Sequence, residues 1–138
     1  MVSEQRAENS GQWSVREKKM AEVKSYKDLL IWQKGIDLVV EVYKAVKTFP
    51  REELFALSDQ IRRSSVSVPS NIAEGQARQH TAEFRQFLHV SLGSLAELDT
   101  QTIIANKLGY LSEETLSSIS NGITELRKMI SSLISKLK

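Results

Sequence analysis

Residues 116–137, LSSISNGITELRKMISSLISKL, carry the clearest periodic pattern in the chain. Apolar side chains recur there at alternating steps of three and four residues: Leu116, Ile119, Ile123, Leu126, Ile130, Leu133 and Leu137. This spacing places them along one side of an α-helix that packs against other helices. Ser112, followed by Glu113 and Glu114, provides a helix start, and Lys136 and Lys138 suit the C-terminal end of the helix dipole. The segment therefore predicts a packed helix.

Three further helical segments precede it, over about 28–48, 52–74 and 81–108. The second contains the stretch RRSSVSVPSNIAEG (62–75), in which four serines and Pro69 occupy positions where strong helix formers are usual. Because a proline inside a helix deletes one backbone hydrogen bond, we expect a kink near Ser65.

Three residues predict where these helices begin or end. Gly75 suits the left-handed residue that terminates the second helix, and Gly109 suits the end of the third. Thr81 is a candidate N-cap of the third helix. The sequence thus predicts an all-α, up-down-up-down antiparallel four-helix bundle with a kinked second helix, spanning residues 25–138. Residues 1–24 lack a sustained period and predict a mobile, charged leader.

The first helix has more apolar residues than a bundle requires. One set, at a/d spacing, is predicted to face the core: Leu29, Trp32, Ile36, Val39, Tyr43 and Val46. A second set lies about 120° around the same helix at 100° per residue: Ile31, Leu38, Val42, Ala45 and Phe49. The second set is either additional core or a subunit interface, and the interface interpretation predicts a homo-oligomer.

Composition and motifs argue against several classes of function. With no cysteine, disulfides and thiolate chemistry are excluded. The sequence has no apolar run of membrane-spanning length and no secretion signal at its N-terminus, so we expect a cytoplasmic protein without membrane contact. Neither His80 nor His89 has a glutamate three residues before it, as a di-iron bundle would require, and both are expected to face solvent. We predict no metal, no cofactor and no enzymatic activity.

Arginines provide the main candidate for nucleic-acid binding. Arg62, Arg63 and Arg78 are predicted to surround the kinked end of the second helix, with Arg85 at the start of the third. In an oligomer this cluster would be repeated. The alternative is that they pair with acids such as Asp59 or Glu74.

A third possibility is that the chain docks a protein partner, through the second apolar face of the first helix or through the leader. Trp13 is a candidate anchor in that leader. A lone aromatic residue in a polar tail is more often incidental.

Four stretches resemble the bacterial 23S rRNA-intervening sequence proteins: SYKDLLIWQKGIDLVVEVYKAVKTFP (25–50), DQIRRSSVSVPSNIAEGQAR (59–78), FRQFLHVSLGSLAELDTQ (84–101) and ANKLGYL (105–111). The resemblance implies a four-helix bundle that forms a ring-like homopentamer. It also implies distant similarity to the accessory variability proteins of diversity-generating retroelements, which bind reverse transcriptase and nucleic acid. Our leading hypothesis is therefore an oligomer that binds ribosomal or other structured RNA. The alternative is an accessory subunit for a protein such as a reverse transcriptase.

Overall fold

The computed structural model describes residues 25–137, and every regular element in that range is helical. Four α-helices account for most of it: α1 (Leu30–Val46), α2 (Leu57–Ala77), α3 (Thr81–Lys107) and α4 (Glu113–Lys136). Short 3-10 turns cover Tyr26–Asp28 and Arg51–Glu53. No helix of the described part is both long and apolar enough to cross a membrane. The predicted leader and its Trp13 lie outside the described residues.

Local hydrogen bonds explain where the first 3-10 turn and α4 begin. The Ser25 hydroxyl accepts from the Lys27 backbone N–H, and the Asp28 carboxylate accepts from the Ser25 N–H, which together form a capping box. The Ser112 hydroxyl accepts from the Thr115 N–H at 3.1 Å and caps α4, as predicted. Gly109 has a φ of 83° just after α3, which confirms that it closes this helix.

The predicted connection between the second and third helices is wrong in two details. Gly75 does not end α2, because the helix continues to Ala77 and Gly75 lies buried inside it. The left-handed residue is Gln79, with a φ of 60°. Thr81 is the first residue of α3 rather than its N-cap, and the N-cap His80 makes no side-chain capping bond. We predicted that Gly75 ends the helix because glycine is favoured both where the backbone turns left-handed and where two helices pack closely. The sequence alone does not distinguish these two reasons for a glycine.

Each helix packs against two others, in the pairs α1 with α2, α2 with α3, α3 with α4, and α4 with α1. Two contacts between α1 and α2 run in reverse order along these helices. On α1 and α2, Gly35 lies against Pro69, and Tyr43 lies against Arg62 further along α1. The apolar core between the helices contains Ile61, Ile72, Leu88, Leu95, Leu98, Ile119, Leu126 and Ile130, among others. The structure is therefore a bundle of four helices around one core.

The interface interpretation of the second apolar set of the first helix is wrong, and the additional-core interpretation is confirmed. Ile31, Leu38, Val42 and Phe49 were candidate interface residues, but all four are buried in the core of their own chain, and Ala45 packs against it. In the other set, Val46 is buried, while Ile36 and Tyr43 are exposed and Leu29, Trp32 and Val39 are partly buried. Spacing alone defines two faces and does not say which one the neighbouring helices cover.

Pro69 is accommodated inside α2, which is helical on both sides of it. A Cβ added to Gly35 would lie 3.2 Å from the Pro69 Cβ, so α1 and α2 approach closely at this point. Both residues are buried. The kink near Ser65 stays a prediction. The absence of a side chain at Gly35 gives the proline ring a place to pack.

The contact between α2 and α3 is lined with small polar side chains. The Ser64 hydroxyl donates to the Gln101 side-chain oxygen at 2.7 Å, and the Ser91 hydroxyl donates to the Val68 carbonyl at 2.9 Å. All the hydroxyls in these contacts have hydrogen-bond partners, so their burial carries little penalty. Because serine and glycine are small, the two helices can lie close together. A Cβ added to Gly75 would lie only 2.6 Å from the Phe87 Cβ.

Candidate interaction surfaces

The four candidate arginines do not form one cluster. Arg62 and Arg63 lie early in α2, whereas Arg78 directly follows the end of this helix. At 1.5 Å per residue, the sixteen-residue separation of Arg62 and Arg78 corresponds to about 24 Å along the helix. Arg85 lies in the second turn of α3, at the same end of the bundle as Arg78. The prediction that Arg62, Arg63 and Arg78 surround one end of the second helix is therefore wrong.

Arg62 and Arg63 are in different environments although they are adjacent. The Arg62 guanidinium donates to the Leu54 carbonyl at 3.1 Å and lies 6.0 Å from the ring centroid of Tyr43. Arg63 is far more exposed and makes one loose ion pair with Asp59, at 3.7 Å. Adjacent residues on a helix point about 100° apart, so only Arg63 presents most of its guanidinium to solvent.

Arg78 and Arg85 also have partners within the chain. Arg78 is paired with Glu74 at 3.6 Å and with Glu83 at 3.8 Å, and its guanidinium lies 5.1 Å from the Phe87 ring centroid. Arg85 donates to the Leu137 carbonyl and so links α3 to the end of α4. The pairs of Arg63 with Asp59 and of Arg78 with Glu74 correspond to the alternative in which the arginines pair with acids. Across residues 25–137 the numbers of basic and acidic side chains are equal, so the bundle has no basic excess.

A more prominent feature is an apolar surface shared by α1 and α2. We define the α1–α2 surface as Ile36, Val40, Tyr43, Phe55 and Val66. Phe55 is 90% exposed and Val40 is 48% exposed. Arg62 connects the set, because it contacts both Tyr43 and the carbonyl of Leu54, next to Phe55, while Val66 lies one turn further along α2. An exposed phenylalanine among exposed aliphatic side chains is typical of an interaction site.

The remaining candidates for chemistry are few. His80 and His89 are both exposed, as predicted. Within residues 25–137 the structure shows no group of three or more His, Cys, Asp or Glu side chains placed to hold a metal ion. A shallow, open depression between α1 and the start of α4 is lined by Asp37, Lys44 and Thr115, among others. Its mixed and exposed lining defines no particular ligand.

Tyr110 has a raised pKa. The Tyr110 hydroxyl donates to a Glu53 carboxylate oxygen at 3.1 Å, and its ring lies 5.5 Å from that of Phe49. The hydrogen bond to Glu53 raises the pKa of Tyr110 above its usual value, because ionisation would remove the donated proton and place two negative charges together. This contact ties the connection before α2 to the one before α4, so its role is structural.

The sequence of most of the bundle matches a known protein family. The family model of the 23S rRNA-intervening sequence proteins matches residues 27–132, which is most of the chain. The chain belongs to this family. The match confirms the resemblance noted in the sequence, and it starts within the 3-10 turn that precedes α1. No curated protein matches the chain.

A solved structure from the same kind of protein has a similar fold. It is a crystal structure of a protein with unknown function from the S23 ribosomal protein family of Bacteroides thetaiotaomicron. It is 28% identical to this chain, with a TM-score of 0.69, and the similarity covers 76% of this chain and 98% of that chain. The family and this neighbour thus support the bundle fold.

Sequence reasoning missed the members of the α1–α2 surface that lie off the a/d pattern. Val40 and Val66 each lie beside charged or polar neighbours, and Phe55 was placed at the start of the second helix. The available signal for Phe55 was its position in REELFAL (51–57), shortly after Pro50 and two adjacent acids. A phenylalanine in a charged connection can fold back onto the core or remain outside, and only the three-dimensional structure distinguishes these cases.

Proposed function

We propose that this chain is a non-enzymatic assembly protein whose up-down-up-down bundle forms a homo-oligomer through the α1–α2 surface. The reversed order of the contacts between α1 and α2 supports the antiparallel arrangement. The observation that carries the proposal is the exposure of Phe55, Val40 and Tyr43 on one side of the bundle. Covering aromatic and aliphatic side chains of this kind is the main source of affinity in protein interfaces. The family resemblance implies a ring of five subunits.

The test is sedimentation velocity on the full chain and on a double variant, Val40→Asp with Phe55→Ser. We expect the unmodified chain to sediment as an oligomer and the double variant as a monomer, because a buried carboxylate without a partner opposes association. Both residues are exposed in the isolated chain, so the helix content should not change.

The matched control is Leu30→Ser, which removes an equally exposed aliphatic residue on another side of α1. It should leave the oligomer intact. A monomeric unmodified chain, or a double variant that still assembles, would refute the proposed use of this surface.

RNA binding is a second candidate, and Arg63 is the residue that favours it. Its side chain is 79% exposed and its ion pair with Asp59 is long. In a ring, one such guanidinium per subunit would be repeated around the assembly, and phosphate contacts of this kind give salt-dependent binding without sequence preference. The equal numbers of acids and bases in the bundle predict weak binding.

Filter binding with structured RNA at two salt concentrations tests this candidate. We expect salt-sensitive retention that falls when Arg63 is replaced by Ala. Arg127→Ala, which removes an exposed arginine of α4, is the control and should have a smaller effect. If the RNA is not retained at either salt concentration, a protein partner such as a reverse transcriptase becomes the preferred alternative, to be tested by co-purification with the assembled chain.

A further inference from the structure

The glycine in the middle of α3 faces open space in the described residues 25–137. Gly93 lies inside a 27-residue helix, and a Cβ built there would meet nothing within 4 Å. The glycines of the α1–α2 and α2–α3 contacts differ, because a Cβ at Gly35 or Gly75 would come within 3.2 Å or 2.6 Å of another side chain. A glycine inside a helix destabilises it relative to alanine. Since no contact within residues 25–137 requires a glycine at position 93, a contact from another molecule is a physical reason for it.

Exposed apolar side chains lie on the same side of α3 as this glycine, in α3 and at Leu108, which directly follows it. We define the α3 strip as Val90, Gly93, Glu97, Ile104 and Leu108, whose spacing of three, four, seven and four residues keeps them within about 60° of one another. Val90 is 46% exposed, Ile104 is 44% exposed and Leu108 is 55% exposed. The strip thus combines three exposed apolar residues and the exposed Glu97 with a glycine, where another molecule could approach the helix closely.

The α3 strip and the α1–α2 surface lie on different sides of the molecule. Helices α1 and α3 each pack against both α2 and α4, so they occupy opposite corners of the bundle. One copy can therefore present its α1–α2 surface to a neighbour while its α3 strip remains open for another. Contact between two different surfaces is heterologous, and repeated heterologous contacts close into a ring when the rotation between subunits allows it.

The charges beside the two surfaces are complementary. Lys44 in α1 and Lys47, which directly follows α1, are both exposed, and neither has an ion pair within residues 25–137. Both lie within two turns of Val40 and Tyr43 along the chain, and Lys44 also lines the depression between α1 and the start of α4. On the α3 strip, Glu97 is exposed, and its only hydrogen bond in the described chain is accepted from the Gln101 amide at 3.2 Å. Opposite charges at the edges of two apolar surfaces favour their association in one orientation.

We propose that the α3 strip of one subunit receives the α1–α2 surface of a second copy of this chain, with Gly93 at the point of closest approach. This rests on the proposed function, which uses the α1–α2 surface for assembly, and it adds the surface on the other side of the contact. It also makes the interface head-to-tail rather than symmetric.

Mixing two assembly-defective variants tests the proposal. The first is Val40→Asp with Phe55→Ser, which disrupts the α1–α2 surface, and the second is Gly93→Arg, which fills the α3 strip. Each variant alone should sediment as a monomer with unchanged helix content by circular dichroism. An equimolar mixture should form a complex of two chains, because the first variant keeps an intact α3 strip and the second keeps an intact α1–α2 surface.

The outcomes separate this inference from the proposed function. If the unmodified chain is a monomer, both are refuted. If the first variant is a monomer but Gly93→Arg still assembles as the unmodified chain does, the α1–α2 surface stands and the α3 strip is refuted. If both variants are monomers and their mixture forms no two-chain complex, the head-to-tail contact is refuted.

A conservative variant, Gly93→Ala, tests the proposal even if Gly93→Arg fails to fold. Gly93→Ala should raise the thermal stability of the chain when measured in the Val40→Asp, Phe55→Ser background, because alanine is the better helix former. In the otherwise unmodified chain the same change should shift the oligomer toward smaller species. Stabilisation without any loss of assembly would refute close approach at Gly93.

Discussion

The helix pairs α2–α3 and α1–α4 are held together by different chemistry. All the buried polar side chains in residues 25–137 belong to α2 and α3: Ser58, Ser64, Ser65, Ser91, Ser94, Gln101 and Thr102. The polar contacts between α1 and α4 instead lie at the outer edge, where Lys34 pairs with Glu125 and the Ser118 hydroxyl donates to Glu41. The α2–α3 contact therefore combines close approach with internal hydrogen bonds, and the α1–α4 contact depends on apolar burial.

The largest effect should come from removing apolar volume on the α1–α4 side. Leu126 is 1% exposed in the core. We expect Leu126→Ala to lower the free energy of unfolding by about 2–5 kcal/mol, since it loses buried hydrocarbon and leaves a cavity. Urea denaturation at a fixed protein concentration measures this, because association also contributes to stability. A loss below about 1 kcal/mol would contradict the importance of apolar burial here.

A second comparison adds one methyl group to the α2–α3 contact and one to the α1–α4 contact. Gly75→Ala should lower stability by about 1–3 kcal/mol, because its Cβ would clash with Phe87 and separate α2 from α3. Gly122→Ala is the matched control on the α1–α4 side, where the added Cβ would lie 3.4 Å from the flexible end of Leu38. It should be neutral or stabilise by up to about 1 kcal/mol. Thermal denaturation measures both changes. If the two variants change the melting temperature equally, the proposed difference in packing between the two contacts is refuted.

Removing one hydroxyl from the α2–α3 contact should have a smaller effect. The fully buried Ser91 hydroxyl donates to the Val68 carbonyl, and we expect Ser91→Ala to cost about 1 kcal/mol, close to the net value of one hydrogen bond. Chemical denaturation provides the measurement. Ser117→Ala on the exposed side of α4 is the control and should change stability by less. An increase in stability for Ser91→Ala would mean that packing, and not the hydrogen bond, governs this position.

The smallest effect should come from the edge ion pair of α1 and α4. Lys34 and Glu125 are partly exposed, at 38% and 56%. Replacing Lys34 by Met should change stability by about 0–1 kcal/mol in dilute buffer, and the difference should shrink in high salt because mobile ions screen the pair. Denaturation at two salt concentrations tests this. A larger, salt-independent loss would show that the Lys34 stem contributes through packing.

The same contrast explains what the sequence could and could not predict. Ser112 and the two acids after it predicted the start of α4. The a/d pattern predicted its buried residues Ile119, Ile123, Leu126 and Ile130, because apolar periodicity reports packing directly. In α2 the buried positions include Ser58, Ser64, Ser65 and Gly75, which leave no apolar signal. The end of α2 was therefore predicted at Gly75, two residues before its observed end at Ala77.

For the candidate sites, the sequence showed which residues are apolar or basic but not where the folded chain places their side chains. It recognised that α1 has two apolar faces but left open whether the second set, which includes Ile31, Leu38 and Val42, was additional core or an interface. Choosing between the faces requires knowing on which side α2 and α4 lie, which periodicity within α1 does not contain. Likewise, the adjacency of Arg62 and Arg63 in sequence did not reveal that Arg62 folds back to the Leu54 carbonyl.

The tight connection at residues 78–80 has a consequence for how the chain acquires its structure. It is the shortest link between the four helices, compared with residues 47–56 and 108–112, and it joins the two helices with the closest contact. A short link makes loop closure inexpensive in entropy, and local contacts form fast. We therefore expect the α2–α3 hairpin to be the folding nucleus, with backbone amides of both helices protected early in pulsed hydrogen exchange. Helices α1 and α4, the first and last in the chain, would then pack onto the preformed α2–α3 hairpin.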